Sequence, residues 1–357
     1  MRSILYLGWI GFHNLGDEWM WEVFRDLAAD YVDDGQARVI PSVPGVDWKN
    51  VGLYDTVVLG GGSLLIPGYV ELMHEALERG KQAVIWGSGH DRLHRLLTGP
   101  DGGAMPDRAV ESEPYRKKLA ELLKHSAYSG VRGPWTIDYL ESLGAPVERV
   151  AISGDPALLM TSSLGAAEVS RQKRGRGASP VIGINWGTSY NKIYGGNETE
   201  VEEALALAGK ALINQGYRLY LYGVWGPDGE ALTRLYRKIG DPEHATLDTK
   251  VYKASEYVQL LSEFTATINF KLHANLLSAA ANVPFVCIGY RFKSFDLMTA
   301  LGLADYIVAA NDPRLADRLV ERSVSASTQF RLFAEKLEVA RTAAQDSLTR
   351  PFREGIL

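Results

Sequence analysis

The sequence predicts an α/β protein built from two Rossmann-like, doubly wound domains. Short, unbroken apolar runs alternate with amphipathic stretches, and unbroken runs are typical of parallel strands that helices cover on both faces. The same alternation restarts after a basic, glycine-containing stretch near the middle of the chain. The length of 357 residues, of which 46% are hydrophobic, is enough for about two domains with separate cores.

Six apolar runs predict the strands of the first domain. They lie at residues 4–7, 38–40, 56–59, 82–86, 127–131 and 150–153. After the first run, apolar residues from Met20 to Tyr31 recur every three or four positions, which predicts a helix from about Asp17. Asp17 is a candidate N-cap of this helix, because a carboxylate can accept hydrogen bonds from the free N–H groups of the first turn.

Four further runs predict the strands of the second domain. They lie at residues 181–186, 219–222, 265–270 and 285–289. A capping box at residues 199–202 predicts the start of a helix that ends near Asn214. Helices are also predicted at residues 272–282 and, in one or two pieces, at residues 312–348.

The predicted domain boundaries follow from this alternation. The first α/β domain takes residues 1–161 and the second takes residues 181–311, with a linker at 162–180 and a helical tail at 312–357. The linker has three glycines and four basic residues, which is typical of an exposed segment. Doubly wound sheets bind ligands outside the carboxyl ends of their strands, so the expected active site is the cleft between two facing domains.

Charge and composition exclude several classes of protein. The net charge of −5 argues against nucleic-acid binding. A single cysteine, Cys287, excludes an internal disulfide and a cysteine-based zinc site, as is usual in a reducing compartment. No apolar run approaches the roughly 20 residues of a membrane span. We expect a cytoplasmic protein; contact with the inner face of the membrane stays open, and the sequence does not indicate an oligomeric state.

Three glycine-rich turns follow predicted strands of the first domain. The turn at residues 8–18 has neither the glycine spacing of a dinucleotide fingerprint nor the Lys-Ser/Thr of a Walker A loop. The other two turns lie at residues 60–63 and 87–90. Glycine lets the backbone approach a ligand, but a tight strand–helix turn also needs it. His90 lies at a strand end, where it is a candidate for proton transfer.

Basic residues follow two neighbouring strands of the second domain. Lys271 and His273 stand at a strand end and at the start of a helix, while Arg291 and Lys293 follow the next predicted strand. A cation at a helix N-terminus is unfavourable unless an anion is bound, so we expect an anionic ligand here. A solvated rim stays open as the alternative, for Arg291 above all. His90 and His94 have helical spacing but no third ligand, and no metal site is predicted.

The order of these motifs resembles that of the polysaccharide pyruvyl transferases. The matching segments are Gly8 to Glu18, Gly60 to Leu64, Ser129 to Arg132, Gly154 to Ala157 and Lys271 to Ala274. The resemblance implies a GT-B-like fold with two domains. It also implies transfer of a pyruvyl group from phosphoenolpyruvate to two hydroxyls of a glycan or glycolipid, which forms a cyclic ketal and releases phosphate. Phosphoenolpyruvate is then a donor substrate, and no cofactor is expected.

The resemblance also implies roles for individual residues. His273 is the candidate general acid, and Asp17 orients or deprotonates the acceptor hydroxyl. The residues expected to bind the anionic donor are Lys271, Arg132, Arg291 and Lys293. The residues expected on the acceptor side are Asn14, Gly16, Gly61, Gly62, Ser63 and His90. Trp9, Trp19, Trp186 and Tyr190 lie near strand ends and could stack on sugars, although most such residues pack in cores.

One departure from the family pattern keeps other functions open. Lys271 stands where the family usually has arginine, and lysine cannot make a planar two-point contact with a carboxylate. The alternatives are a nucleotide-sugar-dependent GT-B-type glycosyltransferase and a non-catalytic relative that binds a glycan or an anion. Stabilisation by a nucleoside diphosphate would indicate the first, and donor binding without turnover would indicate the second. The acceptor sugar, its linkage and the ketal stereochemistry cannot be read from the sequence.

Overall fold

The computed structural model confirms two Rossmann-like parallel sheets with flanking helices. It describes residues 1–12, 14–32, 35–91, 96–98, 104–106, 111–160 and 179–357. Each of the two large sheets has six strands, and every described pairing within them is parallel. The predicted linker at 162–180 lies, except for its last two residues, outside the described residues, and so does His94.

The first sheet has the strand order β2-β1-β3-β4-β7-β8. Its strands are β1 (Arg2–Leu7), β2 (Ala37–Pro41), β3 (Thr56–Leu59), β4 (Gln82–Ser88), β7 (Tyr128–Val131) and β8 (Ala151–Ile152). All six correspond to predicted apolar runs. In the register of the sheet, Ile4 is paired with Val39 on one side and with Thr56 on the other. A separate two-stranded sheet pairs β5 (Leu96–Thr98) with β6 (Ala104–Pro106).

The second sheet has the strand order β11-β10-β9-β12-β13-β14. Its strands are β9 (Val181–Asn185), β10 (Arg218–Tyr222), β11 (Ala245–Asp248), β12 (Ala266–Asn269), β13 (Phe285–Gly289) and β14 (Ile307–Ala309). The four inner strands were predicted, whereas the edge strands β11 and β14 were missed. Both edge strands are short and partly exposed: β11 contains Thr246 and Asp248, and β14 has only three residues, so neither stands out in the sequence as a long buried strand does.

Eleven α-helices are described. They are α1 (Leu15–Tyr31), α2 (Tyr69–Glu78), α3 (Glu113–His125), α4 (Pro134–Ser142), α5 (Glu198–Asn214), α6 (Asp228–Ile239), α7 (Ala254–Ser262), α8 (Leu272–Ala280), α9 (Phe292–Ala300), α10 (Leu315–Thr328) and α11 (Phe330–Arg353). The predicted capping box at 199–202 is wrong by two residues. Asn197 is the N-cap of α5, because its side chain accepts from the Glu200 N–H at 3.0 Å.

Buried strand residues and aromatic side chains form the cores. Strands β3, β12 and β13 are buried along their whole length, as their apolar runs predict. In the first sheet, Trp86 packs against Tyr6, Phe24 and Phe352, and its Nε1 donates to the Leu348 carbonyl at 2.9 Å. Each buried large apolar side chain contributes about 1.5–3 kcal/mol, and these contacts tie the end of α11 to the first sheet.

The described residues form two compact units. The first takes the described parts of Met1–His94 and Pro106–Leu159, together with Val339–Leu357. The second takes the described parts of Arg95–Met105 and Met160–Glu338. Helix α11 therefore begins in one unit and ends in the other. The domain boundaries drawn from the sequence stay a prediction.

Each large sheet has one point where the strand order reverses. In the first sheet the chain continues from β1 to β2 on one side and then returns to β3 on the other side of β1. In the second sheet the same reversal separates β9 from β12. Ligands of doubly wound sheets bind at such switch points, outside the carboxyl ends of the strands. The loops after β1, β3, β9 and β12 are therefore where a site is expected.

Candidate active site

Asn14 and Asp17 lie at the first switch point, where the loop after β1 leads into the first turn of α1. Asn14 is the N-cap of α1, and its Oδ1 accepts from the Gly16 N–H at 3.4 Å. The Asn14 amide also donates to a carboxylate oxygen of Asp17, which lies in the first turn of the helix. The prediction that Asp17 itself caps the helix is therefore wrong. Asp17 is partly exposed.

The glycine turn after β3 lies beside this carboxylate. A Cβ atom on Gly61 would come within 2.4 Å of the Met20 sulfur, so packing alone requires glycine there. Gly62 has φ +109°, and a Cβ atom on it would lie 3.1 Å from Asp17 Oδ1. The structure therefore brings the two predicted loop segments together at the first switch point, with Ser63 partly exposed next to them.

His90 follows β4 and is fully buried. Its ring stacks on Tyr139 with 3.6 Å between the ring centroids and 12° between the planes. Its Nδ1 lies 3.1 Å from the Leu65 carbonyl oxygen. Since a carbonyl oxygen can only accept, Nδ1 carries a proton in this arrangement. These contacts fix the imidazole within the first unit, and its acceptor-side role stays a prediction.

Arg132 follows β7 and forms a buried ion pair with Asp155. Its Nε lies 3.2 Å from Asp155 Oδ2, and each side chain is 1% exposed. Its Nη1 donates to the Ser63 hydroxyl at 3.4 Å, and the other Asp155 oxygen accepts from the Ala157 N–H at 3.0 Å. The guanidinium thus connects the loops after three strands. An anionic donor can reach it only if these neighbours move, and its role in donor binding stays a prediction.

Lys271 lies at the second switch point, directly after β12 and at the N-cap position of α8. Its backbone N–H donates to Asn185 Oδ1, at the end of β9, at 2.9 Å. Its ammonium donates to the Thr188 carbonyl in the loop after β9 and lies 3.3 Å from Asp228 Oδ1. The ammonium also lies 5.3 Å from the centroid of the Trp225 ring, within the range of a cation–π contact.

The Lys271–Asp228 pair supplies the negative charge that the sequence led us to expect from a ligand. A cation at the start of α8 was expected to require an external anion, but the protein supplies a carboxylate of its own. Asp228 is fully buried, whereas 14% of the Lys271 side chain is exposed. Burial lowers the pKa of Lys271, against the opposing effect of Asp228. Burial likewise raises the pKa of Asp228, against the opposing effect of Lys271.

The other predicted basic residues lie close to this pair along the chain. His273 is the second residue of α8 and is partly exposed. Arg291 is at the N-cap position of α9 after β13, and Lys293 lies in the first turn of that helix; both are partly exposed. The charge of Arg291 acts to lower the pKa of Lys271, which places the two cations within electrostatic reach. The four basic residues that were predicted to bind an anion in the second unit therefore follow β12 or β13.

Glu198 organises the loop after β9. Its carboxylate accepts from the backbone N–H groups of Ser189 at 2.5 Å and Asn191 at 2.8 Å, and from the Thr188 hydroxyl at 3.0 Å. Burial acts to raise the pKa of Glu198, but these hydrogen bonds outweigh it and lower the pKa. The loop that supplies the Thr188 carbonyl to Lys271 is therefore held by a charged anchor. A surface cavity of about 630 Å³ lies beside this loop, lined by polar side chains that include Arg234.

The four aromatic residues named as stacking candidates divide into two pairs. Trp19 and Trp186 are buried, so they belong to the cores. Trp9 is 49% exposed and Tyr190 is 66% exposed. Trp9 stacks on Phe12, which is equally exposed, with 4.6 Å between the ring centroids. The exposed aromatic surface at the first switch point is therefore this pair.

The described residues offer neither a metal-binding cluster nor a membrane-spanning helix. Across the described ranges, no group of three or more His, Cys, Asp or Glu side chains is arranged to hold a metal ion. Among the helices that the structure describes, none is long and apolar enough to cross a membrane.

The family of this protein is shown by a family model that matches the chain across both switch points. A family model described as polysaccharide pyruvyl transferase matches residues 14–291, which is well over half of the chain. The chain belongs to the polysaccharide pyruvyl transferase family. The matched segment runs from Asn14 to Arg291, so it contains the first-unit loops, Lys271 and His273. Lys293 and the exposed Trp9–Phe12 pair lie outside it. Among curated proteins, none matches this sequence.

Solved structures show that this family member has a GT-B-like fold. S. aureus MnaA, solved with UDP, has a TM-score of 0.62 at 10% identity, over 100% of this chain and 96% of that one. A putative UDP-N-acetylglucosamine 2-epimerase from Listeria monocytogenes has a TM-score of 0.61 at 9% identity, over 99% and 95%. Anabaena HepE in complex with UDP and glucose has a TM-score of 0.54 at 12% identity, over 100% and 98%. At these identities the likeness concerns the fold.

Sequence reasoning missed the partners of Lys271 in this pyruvyl transferase family member. Asp228 is the first residue of α6, in the turn that follows β10. The signal was present, because β10 and β12 both neighbour β9 in the sheet and their carboxyl ends meet at one edge. An aspartate after one of these strands and a lysine after another are candidates for a pair. Thr188 acts through its backbone carbonyl, which no side-chain motif can indicate.

Proposed function

We propose that this protein transfers a pyruvyl group from phosphoenolpyruvate to two hydroxyls of a glycan or glycolipid, forming a cyclic ketal and releasing phosphate. The family membership supports a transferase that acts on polysaccharide. The observation that carries the choice of donor is the half-buried Lys271 ammonium at the second switch point, within electrostatic reach of Arg291. A donor with both a phosphate and a carboxylate requires cations at its binding site.

We assign the donor to the second unit and the acceptor to the first. Lys271, Arg291 and Lys293 hold the donor anions, and His273 protonates the methylene carbon of phosphoenolpyruvate. In the first unit, Asp17 orients or deprotonates an acceptor hydroxyl, and its contact with Asn14 fixes the carboxylate. The exposed Trp9–Phe12 pair offers an apolar face to a sugar ring. The proposal requires no cofactor.

The bonds and protons of this reaction balance. Protonation of the methylene carbon makes a methyl group and leaves a cation at the neighbouring carbon. The first acceptor hydroxyl adds to this carbon, and its proton passes to Asp17 if Asp17 is the base, or returns to the general acid if Asp17 only orients the hydroxyl. The second hydroxyl then displaces phosphate: the carbon–oxygen bond to phosphate breaks, a second ketal bond forms, and the second proton leaves with the phosphate.

Phosphate release measured against a panel of glycan acceptors tests the proposal. We expect release from phosphoenolpyruvate that depends on the acceptor, and a product that carries one added pyruvyl group by mass. Thermal stabilisation by UDP, with none by phosphoenolpyruvate, would instead support the nucleotide-sugar alternative. Binding of phosphoenolpyruvate without turnover on any acceptor would support a non-catalytic relative.

A further inference from the structure

Three loops of the second unit converge on the Asp228 carboxylate. One Asp228 oxygen accepts from the Val224 N–H, in the loop after β10, at 3.3 Å. The other faces Lys271, after β12, at 3.3 Å. Gly187, after β9, makes room for it, because a Cβ atom there would lie 2.0 Å from Asp228 Oδ1. The loops after three neighbouring strands therefore fix this carboxylate next to the switch point.

The start of helix α6 and the Val224 N–H stabilise the negative charge of Asp228 on the side away from Lys271. Asp228 opens helix α6, where the helix dipole favours a negative charge. Its Oδ1, the oxygen nearest Lys271, is buried, and the Lys271 ammonium lies 3.3 Å from it. This oxygen therefore depends on the charge of Lys271, since an unpaired buried carboxylate is costly.

The ammonium of Lys271 can donate more hydrogen bonds than its contacts with Asp228 and Thr188 use. It carries three N–H donors; one is directed to the Thr188 carbonyl, and the Asp228 oxygen lies on a second side. The Lys271 side chain is 14% exposed, so the loops do not fully cover it. The charges that act on the ammonium are Asp228 from α6, Glu198 from the start of α5 and Arg291 from the start of α9.

We propose that Asp228 is a positioning residue for the anionic donor, because it holds the Lys271 ammonium charged and in place while one side of that ammonium binds the donor's phosphate or carboxylate. This inference rests on the proposed function for the identity of the donor. Without the carboxylate, the buried ammonium would lose its stabilising charge and its fixed position. Asp228 itself does not touch the donor.

The test compares two kinds of disturbance of the Asp228 carboxylate. Asp228→Asn keeps the shape and removes the charge, whereas Gly187→Ala keeps the charge and pushes the carboxylate from its place. The matched controls are Asp241→Asn, an aspartate paired with His244, and Gly226→Ala, whose new Cβ would have nothing within 4 Å. Initial rates are measured for phosphoenolpyruvate at saturating acceptor, and binding of phosphoenolpyruvate and of inorganic phosphate is measured by calorimetry.

We expect both site variants to raise KM for phosphoenolpyruvate about 10- to 100-fold, the effect of losing a hydrogen bond to a charged group, with a smaller change in kcat. In Asp228→Asn the loss of kcat/KM at alkaline pH should begin at lower pH, because the pKa of Lys271 falls without its counter-ion. Both controls should behave as the wild type. A merely structural role would lower the Tm of Asp228→Asn without moving the pH profile.

The outcomes separate this inference from the proposed function. If wild type turns over phosphoenolpyruvate and both site variants keep its KM and pH profile, the positioning role is wrong and the function stands. If wild type binds phosphate but never releases it from phosphoenolpyruvate, the function fails. The positioning role then stands if the site variants bind phosphate about tenfold or more weakly and is overturned if they bind it as wild type does. Should Asp228→Asn fail to fold, Gly187→Ala decides in the same way. If wild type binds neither anion, both proposals are overturned.

Discussion

Both units place an aspartate next to a cation at the carboxyl ends of their strands, but solvent reaches only the pair in the second unit. The Arg132–Asp155 and Lys271–Asp228 pairs have nearly equal separations, 3.2 Å and 3.3 Å. Both members of the first pair are 1% exposed, whereas 14% of Lys271 is exposed. The first cation also donates to Ser63, so its neighbours are part of the protein.

This difference shows that ion pairs of similar geometry can serve two purposes. A closed pair joins loops and leaves no access for a ligand. A half-open pair holds a charge that a ligand can still approach. A permanently charged guanidinium suits the first purpose, and a compact ammonium on a flexible stem suits the second. The donor is therefore expected at Lys271, and the following experiments either break this comparison or sharpen it.

The largest effect is expected from His273→Ala. If the chemistry belongs to the second unit, loss of the general acid should lower kcat by about 10²–10⁴-fold with little change in Tm. Phosphate release at saturating substrates measures it, and His244→Ala, which removes a partly exposed histidine from the same unit, is the control. A wild-type kcat in His273→Ala would remove this residue from the chemistry.

Arg132→Met should destabilise the first unit. The change leaves Asp155 buried without its charge partner, which costs about 3–5 kcal/mol in the free energy of unfolding. The double variant Arg132→Met/Asp155→Leu removes both charges and should recover most of that loss. Urea denaturation of the three proteins measures the effect. A double variant no more stable than the single one would show that the pair is not the source of the stability.

The pH dependence of kcat/KM for phosphoenolpyruvate should show whether the donor binds Lys271, which can lose its charge, or Arg132, which cannot. In the proposed function the charged form of Lys271 binds the donor, and burial lowers the pKa of its ammonium. As pH rises through this pKa the charge is lost, so kcat/KM for phosphoenolpyruvate should fall at a pH below the ordinary lysine value. In Lys271→Arg, which keeps its charge at all accessible pH values, the fall should disappear. An unchanged alkaline profile in Lys271→Arg would show that another group titrates.

The smallest effect is expected from Trp9→Ala. The loss of one stacking contact of about 0.5–1.5 kcal/mol should raise KM for the acceptor about two- to tenfold and leave KM for phosphoenolpyruvate unchanged. The control is Tyr31→Ala, which removes another exposed aromatic side chain of the first unit. An effect on donor KM alone would contradict the assignment of the acceptor to the first unit. Binding of the wild type to lipid vesicles, lost in Trp9→Ala, would indicate a membrane contact instead.

The sequence was most informative where burial leaves a pattern. All ten predicted strands are present, and those covered on both faces, such as β3 and β13, are short apolar runs. The edge strands β11 and β14 were missed because β11 is interrupted by Thr246 and Asp248 and β14 is only three residues long. The N-cap of α1 was misplaced on Asp17, because Asn14 and Asp17 are both good capping residues and only the backbone geometry decides between them.

The candidate site was predictable in its basic residues but not in their partners. Lys271 and Arg291 were found because each directly follows an apolar strand. Asp228 lies more than 40 positions from Lys271 in the sequence, and only the strand order brings the two together. Likewise, Arg132 is buried against Asp155 because two strand ends pack together, and no spacing in the sequence shows that contact.

A crystal of the protein soaked with phosphoenolpyruvate tests the central claim most directly. The claim is that the donor binds at the half-open cation of the second unit. It predicts difference density for the phosphate or the carboxylate within hydrogen-bond distance of Lys271 Nζ, with the Arg132–Asp155 pair unchanged. Density for phosphoenolpyruvate at Arg132 with Asp155 displaced, and none at Lys271, would contradict it.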